Sequence, residues 1–242
     1  MIIRTAGSLY VVGALLVVVL LCVYFQNDLK SLLGINQQVL DKHYVENLHQ
    51  VITRDSSNSR MIMWQSSVNS DDYNLEYTSD KINGEIKPVK EELIVNNDKQ
   101  YVYTVLLENL ESNTNYQYRI DLNNIKTKWY DFMTANKESD NFKVIIYPDS
   151  QSSDYRGWQT LAMKAWKKNQ DAAFFVNMGD LVDNGYDLDQ WNAWFASVEP
   201  IITKIPIAPV EGNHETYTLD WQSDMPKVYT SLFNVPENGE AQ

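Results

Sequence analysis

Three short segments hold residues whose types and spacing could do chemistry: Tyr147-Pro148-Asp149-Ser150-Gln151, Gly179-Asp180-Leu181-Val182-Asp183-Asn184-Gly185 and Gly212-Asn213-His214-Glu215. Each follows an apolar, β-branched or aromatic run that reads as a buried strand: Val144 to Tyr147, Ala172 to Met178, and Ile205 to Val210. Asp149, Asp180 and Asn213 therefore fall just past the ends of successive strands, the edge at which open α/β sheets place their ligands. Oxygen donors gathered there suit a divalent cation, and a nearby His214 can deliver a proton. Each Asp alone reads equally well as a turn former or helix N-cap, and it is the ordered set that gives them a common purpose.

The elements needed to position these residues are present in the pattern. Between the first two strands, Gly157 to Gln170 places Trp158, Leu161, Ala162, Ala165 and Trp166 at helical spacing. Between the second and third, Leu188 to Val198 does the same with Leu188, Trp191, Phe195 and Val198. Strand, helix, strand, helix, strand predicts a parallel sheet with right-handed crossovers. The tryptophans Trp158, Trp166, Trp191 and Trp194 read as helix-to-sheet packing.

At this point the chain resembles the metallophosphoesterase (calcineurin-like) superfamily, in its purple-acid-phosphatase-like branch. That family's ordered motifs are an Asp after the first strand, then GDxxD or GDxxY, then GNH followed by Glu or Asp. The resemblance implies Asp149 on a first metal, Asp180 bridging two, and Asn213 on the second. It further implies two divalent or mixed-valence ions (Fe, Mn or Zn), His214 at the phosphate or leaving group, and Asp183 orienting its imidazole. Two cations roughly 3.5–4 Å apart neutralise phosphoryl oxygens and lower the pKa of a bound water. Asn184 is a candidate phosphate contact, or a turn residue with Gly185. The substrate implied is a phosphorylated small molecule or phosphoprotein.

The chain departs from the family pattern in three places. Gln151 stands where many members have a histidine ligand; its amide oxygen is a weaker donor. Asp183 stands where coloured members have a tyrosine, so no violet chromophore is expected. The family completes its site with further histidines from the second half of its sheet, yet the other histidines here are His43 and His49, far upstream. The expectation is an incomplete catalytic region that is inactive as it stands. A non-catalytic cell-envelope binding or attachment protein is the alternative.

The chain has 242 residues, a net charge of −12 and one cysteine, Cys22. That charge disfavours nucleic-acid binding, which wants a basic stripe, and one cysteine excludes an intrachain disulfide framework. An uncharged run from Ala6 to Phe25 is long enough, at ~1.5 Å per residue, to cross a hydrocarbon core of ~30 Å. Arg4 ahead of it favours an anchor with an extracytoplasmic body; secretion after signal cleavage is the alternative. The fold class expected is therefore α+β and multidomain. An N-terminal membrane anchor or signal (1–30) leads into a stalk helix (31–47). An antiparallel, fibronectin type III-like β-sandwich (48–136) follows, then part of an α/β metallophosphoesterase domain (137–242). Strands are expected at Val51–Thr53, Met61–Trp64, Tyr73–Tyr77, Tyr101–Leu107, Tyr116–Ile120 and Trp129–Thr134, with Tyr116 as a tyrosine corner. The sandwich is expected to fold alone, and the three-stranded parallel sheet to be left with an unpaired edge.

Overall fold

A computed structural model describes residues 40, 44–139, 141–152 and 154–236. Twelve strands appear in chain order: β1 (Glu46–Val51), β2 (Arg60–Ser66), β3 (Tyr73–Thr78), β4 (Asn83–Ile86), β5 (Val89–Val95), β6 (Asp98–Leu107), β7 (Asn115–Leu122), β8 (Ile125–Lys126), β9 (Tyr130–Met133), β10 (Lys143–Tyr147), β11 (Ala172–Met178) and β12 (Ile207–Val210). Three helices, α1 (Arg156–Lys168), α2 (Leu188–Ile202) and α3 (Lys227–Leu232), belong to the C-terminal part.

A β-sandwich precedes an α/β region, as the sequence pattern implies, but the two share a sheet. The order β10-β11-β12-β1-β2-β6-β5 makes seven strands, parallel from β10 to β1 and antiparallel beyond. The junction is Val51 opposite Ile207, with the Ile52 amide donating to Ile207 O at 2.9 Å. The second sheet, β4-β3-β7-β8 with β9 on β7, closes the sandwich. The period-two alternation of strand side chains explains how one sheet serves two cores. On β2, Ile62 and Trp64 face the sandwich core, while Met63 and Met61 face the helices. On β6, Tyr101 and Tyr103 take the first direction and Val102 the second.

Further bonds cross the same junction. The Thr203 carbonyl at the end of α2 accepts from Gln50 Nε2 at 2.7 Å and Tyr118 Oη at 3.0 Å. His49, fully buried, packs its ring 4.8 Å from Phe195 and 5.6 Å from Phe233. The sandwich region thus carries residues that complete the helical core. Of the two edges of the three-stranded parallel sheet, β12 is paired by β1, and among the described strands β10 has a neighbour on one side only.

Other boundaries also move. The stalk-helix expectation ends in error: Tyr44 lies in a turn and β1 begins at Glu46, because pairing with β2 and burial of His49 override the local helical spacing. The remainder of that helix, the Ala6–Phe25 segment and His43 lie outside the described residues. Among the described residues no helix is long and apolar enough to cross a membrane. The tyrosine corner is present: Tyr116, fully buried, accepts from the Glu111 amide at 2.9 Å.

Candidate functional site

The three loops meet at Asp180. The amides of Ser150 and Gln151, leaving β10, both donate to Asp180 O at 3.0 Å. The His214 amide, after β12, donates to Asp180 Oδ1 at 3.1 Å. Asp180 holds φ 48° and the preceding Gly179 φ 91°. The chain needs glycine where these turns nearly touch: a Cβ at Gly212 would overlap the Asp180 carboxylate, and one at Gly185 the Glu215 main chain.

Glu215 is the clamp beneath them. It has no exposed surface, and its carboxylate accepts from the amides of Leu181 (2.7 Å), Val182 (3.3 Å), Gly212 (2.7 Å) and Asp180 (3.0 Å). Burial pushes its carboxyl above the usual range, and the four amide hydrogen bonds pull the other way. A second buried centre supports the first loop: Ser150 Oγ lies 3.1 Å from Asn177 Oδ1 and accepts from Trp194 Nε1 at 2.9 Å. Gln190 Oε1, on α2, accepts from the Asp183 and Asn184 amides and from Tyr155 Oη at 2.8, 3.1 and 3.2 Å. Asp187 caps α2 by accepting from the Asp189 and Gln190 amides.

His214 is oriented, though not chiefly by the group expected. Its Nδ1 lies 2.7 Å from Asp183 O and 3.6 Å from the Asp183 carboxylate. Only an Nδ1–H can satisfy a carbonyl, so the neutral ring keeps its lone pair on Nε2. Nε2 sits 3.4 Å from Gln151 Nε2, which donates to it. Gln151 Oε1 is buried without a hydrogen-bond partner. Asp149 and Asn213 are exposed, and Asn213 Nδ2 donates to Tyr217 Oη at 3.1 Å, leaving Oδ1 for another role.

Of the two roles the sequence offers Asn184, the contacts are those of the turn residue. It is 3 % exposed, donates to Thr218 O at 2.5 Å and accepts from the Tyr186 amide at 3.1 Å. Trp158 and Trp194 are buried and stacked at 6.0 Å, which places them in packing as the sequence implied. The structural roles of Glu215, Gln190 and Ser150 went unread in the sequence. Glu215 and Ser150 belong to the motifs, and nothing local says that either is buried.

Metal fit is partial. Asp149, Asp180, Asn213 and Gln151 offer hard oxygen donors, and the orphaned Gln151 Oε1 is an acceptor without a proton to take. Yet among the described residues no three His, Cys, Asp or Glu side chains gather as a metal would require. The residues supply donors of the right chemistry, and among the described residues they do not complete a two-metal centre.

A parallel sheet with acidic and amide residues at its strand ends presents the edge at which open α/β sheets hold ligands. Residues 142–240 match the family model for calcineurin-like phosphoesterases. Residues 45–134 match that for the purple acid phosphatase N-terminal domain, so the two matched regions fall in the order the sequence motifs imply. Among curated relatives, the probable inactive purple acid phosphatase 1 of Arabidopsis thaliana is 33% identical, the match covering 49% of this chain and 22% of the relative. The probable inactive purple acid phosphatase 24 of the same plant is 32% identical over 51% of this chain and 22% of its own length. The chain thus spans about a fifth of the length of these relatives. A solved purple acid phosphatase from yellow lupin (Lupinus luteus) seeds shares the fold, with a TM-score of 0.68 at 18% identity, covering 83% of this chain and 42% of that one.

Proposed function

We propose that this chain carries the metal- and phosphate-binding strand ends of an extracytoplasmic, metal-dependent phosphoesterase. The observation that supports it most is the convergence of three ordered loops on Asp180, locked from below by Glu215. Asp149, Asp180, Asn213 and Gln151 would hold the cation. A bound cation there neutralises phosphoryl oxygens and acidifies water. The chain's own contribution is positional. Asp183 O fixes the Nδ1–H tautomer of His214, so that Nε2 is the nitrogen left to take up a proton and, in the imidazolium form, to donate it to a phosphate or leaving-group oxygen. The Gln151 amide holds Nε2 in place until then. The outward placement of the body rests on Arg4 and the uncharged run after it.

One observation favours a second reading, a non-catalytic binding protein: the absence of a gathered donor set among the described residues. Calorimetric titration of the full chain with Mn2+ and then inorganic phosphate separates the two. The proposal expects cation binding that Asp180→Asn weakens at least about tenfold, and phosphate binding only when the cation is present. Cation affinity unchanged by Asp180→Asn would remove the metal from the account.

A further inference from the structure

Beyond Glu215 the chain forms a small hairpin over the site. Tyr217 bridges to Ser223, the Thr218 amide donates to Gln222 O at 2.9 Å, and the Trp221 amide donates to Thr218 O at 2.9 Å. Trp221 holds φ 62°, a seat that favours Gly or Asn and that a bulky side chain rarely takes. Burial does not repay this, because Trp221 is 54% exposed. Its ring instead continues a chain of aromatic contacts that starts at His214. His214 to Tyr217 is 5.2 Å, Tyr217 to Trp221 is 5.7 Å, and His214 to Trp221 is 6.4 Å at 88°. An exposed aromatic in a costly backbone seat, in contact with the candidate acid, is better suited to a ligand than to packing.

We propose that Trp221, with Tyr217 beside it, is a specificity-determining platform that stacks on a flat ring carried by the phosphoester. It selects nucleotide-like or aryl phosphates over aliphatic ones, and this rests on the phosphate-binding reading above. The neighbouring charges agree with a role on the ring and not on the phosphate. Asp220, which accepts from Thr218 Oγ1 at 2.6 Å, and Asp224, which accepts from Tyr186 Oη at 2.9 Å, would repel an anion on that side.

The test is titration calorimetry of the full chain, with Mn2+ present, using adenosine 5′-monophosphate, glycerol phosphate, inorganic phosphate and adenosine as probes. Wild type is expected to bind adenosine monophosphate about tenfold tighter than glycerol phosphate, the range of one base stacked on one aromatic side chain. Trp221→Gly is expected to abolish that preference while leaving the melting temperature equal or higher, since glycine suits the seat. Trp221→Phe is expected to retain part of the preference. A preference that survives in Trp221→Gly, or no preference in wild type, overturns the platform. So does a Trp221→Gly variant that melts several degrees lower, because Trp221 would then be a packing residue. If inorganic phosphate binds nowhere, the phosphate-binding reading fails and adenosine decides alone. Adenosine binding lost in Trp221→Gly supports the platform, and binding that is absent or unaltered overturns it.

Discussion

The sandwich and the α/β region solve the same backbone problem with different residues. Of the ten non-glycine residues with positive φ among the described residues, the seven from Asn47 to Asn124 are all asparagine, and all lie in the sandwich segment. Asparagine tolerates the left-handed region at small cost, so these positions carry little backbone strain, including Asn47 and Asn96, whose side chains also donate to Asn192 Oδ1 at 2.7 Å and Tyr186 O at 3.1 Å. The remaining three are Tyr155, Asp180 and Trp221. Tyr155 donates to Gln190 under the second motif loop, Asp180 gathers the three loops, and Trp221 touches His214. Aspartate tolerates the left-handed region much as asparagine does, whereas at Tyr155 and Trp221 the chain accepts a residue poorly suited to its backbone. Strain that local propensity would have avoided is therefore a pointer to function in this molecule.

The sharpest way to break this contrast is at Glu215. Glu215→Ala leaves four buried amides without an acceptor and is expected to cost about 4 kcal/mol or more in urea unfolding. Glu215→Gln restores one oxygen but turns an amide NH2 toward N–H donors, so about half that loss is expected. If Glu215→Ala unfolds within about 1 kcal/mol of wild type, the clamp is not what holds the loops together.

His49 tests whether the two regions are one unit. Both its nitrogens lie beside carbonyls, Nδ1 at 2.6 Å from Asn47 O and Nε2 at 2.7 Å from Leu232 O. Burial nevertheless lowers its pKa from 6.5 to about 4, with the two carbonyls pulling back. The folded state thus prefers the neutral ring. Its contribution is complete above pH 6.5 and is lost as pH falls toward 4, about 3 kcal/mol in all. Chemical denaturation between pH 7 and 4 should show this extra slope in wild type and not in His49→Gln. Because β1 serves both cores, loss should appear in a single transition; two separate transitions would show that the sandwich unfolds independently.

The smallest effect belongs to the sandwich turns. Asn124 holds φ 67° and is exposed. Asn124→Gly should change stability by no more than about 0.5 kcal/mol, whereas Asn124→Ala should cost about 1 kcal/mol. A larger loss on Asn124→Gly would mean that the sandwich asparagines do more than fill turns.

Much of this was legible from residue order. Strand-ending Asp149, Asp180 and Asn213 announced where the three loops gather, the spacing of Trp158, Ala162 and Trp166 announced α1, and Tyr116 announced its corner. What stayed hidden depends on contacts distant in the chain. The pairing of Val51 with Ile207 has no local signal. β5 reads as polar because it is an edge strand carrying Lys90, Glu91 and Glu92, so neither it nor the short β4 was expected. Asn184 and Glu215 are polar residues whose bonding capacity is consumed inside the fold, and a motif cannot distinguish that from bonding capacity turned toward a ligand.

The central claim is that the loops after β10, β11 and β12 form one cation site around Asp180. Paramagnetic broadening by Mn2+ in the amide NMR spectrum of the full chain tests it directly. Selective loss of the Asp149–Gln151, Gly179–Asp183 and Gly212–His214 signals at substoichiometric Mn2+, reversed in Asp180→Asn, is the predicted result. Broadening centred on other acidic residues, or unchanged in Asp180→Asn, would contradict it.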